Sequence, residues 1–555
     1  MAASKAGRCT SAHSSVASQK PLDGIAGLRQ NWRNDIVAGL LVSLIALPLC
    51  LAIAMASGFP PFGGVITAIV GGMIVGPLCG SQLTIKGPAA GLIAIAIAAV
   101  EALGQGDFSA GYRYTLAVIF VASVIQIVFA LLKFGRFADF FPASVVHGML
   151  AAIGVIIISK QIHPLLGVKP IAKQPISLLL EIPHSLVVMN PEIALVGFTS
   201  VLIVIFTTSL FGRLARYLPG PLAAVLAGIG FCLYFDFNHA HAYKWYSFDY
   251  SVDARYLVDL PTSFISGITL PDFSKITTLT SVEYIVLFAL IGSLESLLTC
   301  KAVDALDPWK RKANMNKDLL ALGFGNAVCG LLGGLPMIAE VVRSSANISY
   351  GARTRWANAF HGMFLLIFVL ALSPIIRLIP SAALAGVLCV VGYRLASPRR
   401  FRECKKIGPQ HLVIFIITII ATLQTDLLMG VVIGMVAEYF LSAALGAPLR
   451  SLFVTVPKGE KRADGAYHIM LPTACTFGNV IGFKRELARA EQGSVVLDFS
   501  RTTFVDHTFM HEVREVEREH GAKLIGIEKL NAITHHRSSL RRAGKRRFDL
   551  LAVFS

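Results

Sequence analysis

Gln82-Leu83-Thr84-Ile85-Lys86-Gly87-Pro88 and Gly333-Gly334-Leu335-Pro336 interrupt two hydrophobic segments that hold matching positions in the two halves of the chain. After the first interruption an apolar segment starts late, at Gly87. After the second only a short stretch resumes, carrying Glu340 and Arg343. A helix that begins partway through a bilayer leaves its first N–H groups unpaired, and these can face an anion. Paired interruptions in two related halves mark the substrate site of a carrier. The pattern predicts a carrier for a small anion.

The composition agrees. Hydrophobic residues fill 55% of the 555 positions and charged ones 15%, which argues against a soluble domain of this size. The nine cysteines are scattered singly, with no C-x-x-C pair, so neither a zinc site nor a disulfide framework is indicated. The net charge of +17 sits in loops beside apolar segments and in a basic tail, which fits a cytoplasmic membrane surface and not nucleic acid. The Ser/Ala-rich start shows no apolar h-region with a cleavage site, so the first spanning helix is expected to direct insertion.

About 20 apolar residues cross a bilayer as a helix. Candidates run over Ile36–Ser57, Val65–Cys79, Gly87–Val100, Thr115–Leu132, Ala143–Ile158, Ile193–Phe211 and Leu222–Phe235. A second set covers Tyr284–Cys300, Leu319–Gly334, Glu340–Tyr350, Phe360–Leu372, Ala382–Gly392, Leu412–Leu423 and Leu428–Ala444, giving 7 + 7 = 14 segments. With a cytoplasmic N-terminus, fourteen crossings put every dense basic cluster inside, from Lys133/Arg136 and Arg213/Arg216 to Lys301–Lys317, Arg353/Arg355 and Arg394–Lys406. The acidic connection Asp236–Glu283 falls outside; Lys169 and Lys173 are the main exceptions. Seven segments per half force inverted topology and bring the two broken helices together near mid-membrane.

Past Gly446 the periodicity changes. Tyr467–Pro472, Val495–Phe499 and Ala522–Ile527 read as strands, and Phe483–Ala490 and Thr508–Glu519 as helices, which predicts a small α/β domain. The expected organisation is a disordered terminus over 1–30, a transport domain over 31–446, an α/β domain over 447–535 and a basic tail over 536–555. Arg537–Arg547 within that tail reads by default as solvated disorder, with attraction to anionic lipid as the sharper expectation.

These residues resemble the sulfate permease (SulP) family over nearly the whole chain. Ala38-Gly-Leu-Leu-Val-Ser-Leu-Ile-Ala-Leu-Pro48 resembles its first helix and Ile85-Lys-Gly-Pro-Ala-Ala90 its third-helix entry. Arg343-Ser-Ser-Ala-Asn and Gly351-Ala-Arg-Thr resemble its tenth-helix region. Thr476-Phe-Gly-Asn479 and Val496-Leu-Asp-Phe-Ser500…Val505-Asp506 resemble a STAS domain. The resemblance implies a uracil-transporter-like membrane domain of core and gate, usually a homodimer, in a bacterial-type inner membrane with both termini cytoplasmic, and a STAS domain open to a cytoplasmic partner. The chain departs from the family pattern at Leu49, Lys86, Ala89 and His507, where Gln, Ser or Thr, Thr and a phosphorylatable Ser are usual.

Arg343 is the first candidate ligand, because its charge adds to the field of a helix N-terminus; a structural cap or salt bridge is the ordinary alternative. Gly87, Pro88, Ala89, Ala90, Val342, Ser344 and Leu49 are the other expected substrate contacts. Gly91 and Ala339 give room, with helix packing as their ordinary use. Glu295 and Thr299 share a helical face, and the resemblance implies a carboxylate here that binds Na⁺ or a proton. Glu340 is spaced for an i,i+3 ion pair with Arg343, with a direct part in cation coupling beside Glu295 and Thr299 as the equal alternative. Glu295 and Glu340 would balance Arg343 and Lys86, leaving a neutral empty site. An anion entering such a site alone is expensive, so symport with H⁺ or Na⁺ is expected. His147 and His361 read as packing residues. No nucleophile–base pair or cofactor motif is seen, so an enzyme is not expected. Bicarbonate or sulfate is the expected substrate; a nucleobase permease and a STAS-linked scaffold are the alternatives.

Overall fold

A computed structural model describes residues 20–527, apart from 136–139, 173, 211–217, 246–247, 262, 426, 446, 448–456, 462–465 and 491–494. The basic tail, most of the N-terminal stretch and the boundary at Gly446 lie outside the described residues. In chain order the helices are α1 (Gly24–Ala56), α2 (Pro61–Leu78, π-helical over Val70–Val75), α3 (Ala90–Gly104), α4 (Phe108–Leu131), α5 (Ala143–Leu165), α6 (Pro175–Val187), α7 (Pro191–Leu210) and α8 (Gly220–Tyr234). They continue as α9 (Leu279–Leu306), α10 (Met315–Leu332), α11 (Val341–Ser349), α12 (Trp356–Ile376), α13 (Ser381–Leu395), α14 (Pro398–Ile407), α15 (Pro409–Gln424) and α16 (Leu427–Ala444). Every segment expected from hydropathy overlaps one of these helices, although Gly87–Pro88 and Glu340, at the starts of two of them, lie in strands; among the described residues eight helical stretches are long and apolar enough to cross a membrane, with α13 and α14 counted together as one.

Three features differ from the sequence reading. Helix α1 begins at Gly24, inside the stretch expected to be disordered, because the Asp23 side chain caps it. Helices α6 and α14 were not expected. Helix α14 is too polar to register as a span: Arg399, Arg400, Arg402, Lys405 and Lys406 surround a narrow apolar edge where Cys404 is buried and the Phe401 ring meets Phe415 edge-on at 4.8 Å. The connection between α8 and α9 holds an antiparallel hairpin of β2 (His241–Trp245) and β3 (Phe248–Val252); strand β1 (Ile85–Pro88) lies earlier, between α2 and α3.

The chain divides into two compact units, Met1–Gly135 with Val155–Tyr393 and Arg136–Gly154 with Arg394–Ser555. In the first, local caps set the helix entries around the broken segments. The Asn314 side chain accepts from the Lys317 N–H at 3.0 Å to open α10. Gly333 closes α10 at φ +88°, a left-handed conformation that favours glycine. The chain then extends as β4 (Met337–Glu340), which pairs antiparallel with β1 in the register Ile85↔Glu340, Lys86↔Ala339, Gly87↔Ile338 and Pro88↔Met337.

The second unit carries the C-terminal α/β fold. Its strands are β5 (Lys458–Lys461), β6 (Tyr467–Met470), β7 (Ala474–Cys475), β8 (Val495–Asp498), β9 (Phe504–Val505) and β10 (Lys523–Ile525), with helices α17 (Val480–Leu487) and α18 (His507–His520). The main sheet has the order β10-β8-β6-β5; β10, β8 and β6 run parallel and β5 antiparallel to β6. Phe483, Leu497, Phe499, Phe509 and Val513 fill its core. The strands and helices expected after Gly446 match these elements within a few residues. Asp506 caps α18 by accepting from the Phe509 N–H at 2.7 Å, and accepts from the Phe477 N–H at 2.5 Å.

Candidate functional site

The two broken segments meet as a two-stranded ribbon inside the membrane part of the chain. Unpaired backbone is not tolerated in hydrocarbon, and here each strand satisfies the other while side chains tie down the edges. The Ser344 hydroxyl accepts from the Ile85 N–H at 2.9 Å and donates to the Glu340 carbonyl at 2.6 Å. The Ser296 hydroxyl accepts from the Ala339 N–H at 3.1 Å. Asn326 accepts from the Met337 N–H at 2.6 Å and donates to its carbonyl at 3.3 Å. Asn358 donates to the Gly71 carbonyl in the π-turn of α2 at 3.1 Å and accepts from the Lys86 N–H at 3.4 Å. A π-turn inside a helix often marks a functional position.

Side chains alternate along a strand, so the register puts Ile85, Gly87, Ile338 and Glu340 on one face and Lys86, Pro88, Met337 and Ala339 on the other. On the first face, Arg343 from α11 is fully buried and its three guanidinium nitrogens have no hydrogen-bond partner. The Cys50 thiol of α1 and the Glu340 carboxylate lie within reach of its charge. Glu340 does not form the expected i,i+3 ion pair. Its Oε1 accepts from the Ala90 N–H at 3.3 Å, at the N-terminus of α3, where a negative side chain is favoured.

Two glycines make the space. A Cβ on Gly87 would lie 2.2 Å from Arg343 Nη1, and a Cβ on Gly91 would lie 1.8 Å from Glu295 Oε1. The close approach at both positions is therefore to charged side chains of the chain itself. Glu295 is buried on α9, its Oε2 has no hydrogen-bond partner, and Thr299 is buried one turn further on. His361 on α12 is also fully buried with neither ring nitrogen partnered, and it feels the charge of Arg343.

The remaining expected contacts scatter. Ala89 is buried beside the ribbon, where its N–H donates to the Pro336 carbonyl at 3.1 Å. The Ser344 hydroxyl is committed to backbone, as described. Val342 is 46% exposed, whereas Leu49 packs in an apolar cluster with Ile45, Val204 and Val387.

Lys86 corrects the charge count made from sequence. It does not balance Glu295 or Glu340, because it lies on the opposite face of the ribbon. Its Nζ sits 2.6 Å from Asp318 Oδ2, with both side chains almost wholly buried. The Cys300 thiol donates to the same oxygen at 3.0 Å. Asp318 was missed because it precedes the expected Leu319–Gly334 segment by one residue; an acid at a membrane helix entry was the available signal. With Lys86 spoken for, Arg343 stands against two carboxylates.

The family model described as the sulfate permease family matches residues 32–418. YvdB of Bacillus subtilis (strain 168), whose name marks it as a candidate sulfate transporter, is 26% identical over 74% of this chain and 73% of its own length. The bicarbonate transporter BicA of Picosynechococcus is 26% identical over 73% of this chain and 69% of its own. The solved transmembrane domain of a cyanobacterial BicA is 25% identical, covers 72% of this chain and 97% of that structure, and superposes with a TM-score of 0.63. A family model spanning most of the chain, together with a fold shared with a solved relative, shows that this protein belongs to the sulfate permease family.

Proposed function

We propose that this chain is a secondary active transporter of a small inorganic oxyanion, bicarbonate or sulfate, working by alternating access at the ribbon between α3 and α11. The observation that carries the reading is the buried Arg343 guanidinium, whose three nitrogens make no hydrogen bond within the protein. A buried cation without partners is costly, and an oxyanion supplies the acceptors that a guanidinium fork fits. The likeness to transporters named for bicarbonate and for sulfate supports the substrate class.

The corrected charge count favours coupling. Arg343 offers one positive charge against the two carboxyl groups of Glu295 and Glu340, so an anion arriving alone while both are ionised would raise an existing imbalance. A proton or Na⁺ on Glu295 offsets it. Fourteen crossings in two inverted halves, cytoplasmic termini in a bacterial-type inner membrane, a homodimer and a STAS identity for the C-terminal domain with its own cytoplasmic partner complete the reading. The basic residues of α14 and of the tail would sit against anionic lipid.

Uptake into proteoliposomes tests the proposal. Radiolabelled bicarbonate and sulfate are supplied in parallel with an inward Na⁺ gradient, an inward proton gradient, or neither. Uptake of one anion that depends on one cation gradient is expected. Uracil transport with no uptake of either anion would sink the proposal and favour a nucleobase permease.

A further inference from the structure

Lys86 and Asp318 form an ion pair in the part of the molecule where such pairs are most costly, and the transport site just described makes no direct use of it. The pair is tightly built. Asp318 Oδ2 receives the Lys86 ammonium at 2.6 Å and the Cys300 thiol at 3.0 Å, while Oδ1 accepts from the Ser81 N–H at 3.3 Å. The ammonium also lies 3.7 Å from Cys300 Sγ. The backbone of Lys86 is held as well: Asn358 accepts its N–H, and a Cβ on Gly71 would come within 2.7 Å of its carbonyl oxygen. One carboxylate thus joins the loop after α2, strand β1, α9 and α10.

The position of this pair matters more than its strength. Lys86 is adjacent to Gly87, the residue against which Arg343 packs, and its side chain leaves the ribbon on the other face. Asp318 by itself would be a buried negative charge behind the ribbon, opposed to any anion seated in front. The ammonium cancels it at source. Replacing a buried ion pair by apolar residues of similar size is often neutral, whereas removing one partner exposes the other. That contrast separates an electrostatic role from an anchoring one.

We infer that Lys86 is a tethered counter-cation: it holds β1 in register and keeps the charge of Asp318 from weakening the anion seat at Arg343. It is a positioning residue and does not touch the substrate. The inference rests on the proposed anion seat, so the experiment includes a variant that tests the seat alone. It deepens that reading by giving the lysine and the aspartate one joint role: each is needed because the other is there.

The test uses the full-length protein in proteoliposomes, with initial rates of radiolabelled bicarbonate and sulfate uptake over a range of anion concentrations. Lys86→Met is expected to raise KM on the order of tenfold, through the unit charge uncovered behind the seat at an effective dielectric of about 20. Asp318→Asn leaves the positive partner, so its KM stays level or falls. Lys86→Met/Asp318→Leu restores KM to near the wild-type value, and Lys86→Arg retains most of it. Equal rises in KM for both single variants, with no recovery in the double variant, would reduce the pair to packing and overturn the inference. If Lys86→Met does not yield a monodisperse protein, the double variant decides: wild-type KM supports the tethered charge, and a raised KM refutes it. Arg343→Gln run alongside separates the two ideas, because an unchanged KM there would remove the seat whatever Lys86 does.

Discussion

Replacing Gly91 by alanine should disable coupling while leaving the fold intact. A Cβ at this position would lie 1.8 Å from Glu295 Oε1 and 2.3 Å from both Cδ and Oε2. Ordinary contact begins near 3.4 Å, so the carboxyl group must retreat by about 1.5 Å, roughly the reach of one methylene group. The obstacle is the end of a flexible side chain, and Gly91 does not hold a positive φ, so alanine can adopt its backbone conformation. Stability should therefore change little. Function should not survive so well, since a displacement of about 1 Å at a reacting or binding group can cost about 100-fold. The expected result is a monodisperse Gly91→Ala protein whose cation-stimulated uptake falls about 100-fold. The shorter Glu295→Asp side chain should make room, so Gly91→Ala/Glu295→Asp should recover at least about tenfold of that loss. Initial-rate uptake with and without the cation gradient measures both. A Gly91→Ala protein with wild-type rate and cation dependence would refute the placement of Glu295 in the coupling step.

Other outcomes follow from the same geometry. Gly87→Ala places a Cβ 2.2 Å from Arg343 Nη1, and should raise the anion KM about tenfold with a smaller effect on maximal rate. Glu295→Gln should leave uptake indifferent to the cation gradient; uptake that still follows the gradient would exclude Glu295 as the coupling group. Asp35, fully buried on α1, accepts from the Arg353 and Thr354 N–H groups at 2.8 and 3.1 Å and from the Thr354 hydroxyl. Asp35→Ala leaves those donors buried and should cost about 2–4 kcal/mol in unfolding free energy, read by thermal melting in detergent. In the C-terminal domain, burial pushes the Asp506 carboxyl up to about 7. The folded state then binds more protons than the unfolded one between about pH 4 and pH 7, so this group's contribution is full below that window and is lost as pH rises through it. Protection factors of the α18 amides in the full-length protein, corrected for the intrinsic pH dependence of exchange, should be higher at pH 5.5 than at pH 8, and Asp506→Asn should flatten the difference.

Much of this architecture was legible because membrane helices leave a strong periodic record. The late start at Gly87 and the cut at Gly333–Pro336 located both strands to within a few residues, and Arg343 and Glu340 were read correctly as lying at the second entry. The pairing of β1 with β4 was not legible. Each strand has four residues, too few for an alternation signal, and their partners lie about 250 positions apart, as for Ile85 and Glu340. Lys86 was assigned to the wrong carboxylates for the same reason, since a strand's neighbours on its two faces depend on register and not on spacing. Helix α14 was hidden because its five cations outweigh Phe401 and Cys404 in any hydropathy window. The alternating strands and helices of the C-terminal domain were readable because each short element keeps its own period around a single apolar core.

The central claim is that a small oxyanion is seated by Arg343 between the two broken helices. It is tested most directly by anion-induced thermal stabilisation of the purified protein, with Arg343→Gln beside the wild type. Bicarbonate or sulfate should raise the melting temperature of the wild type in a saturable way, and Arg343→Gln, folded and monodisperse, should show no such rise. An equal, saturable rise in both proteins would contradict the account and place the anion elsewhere.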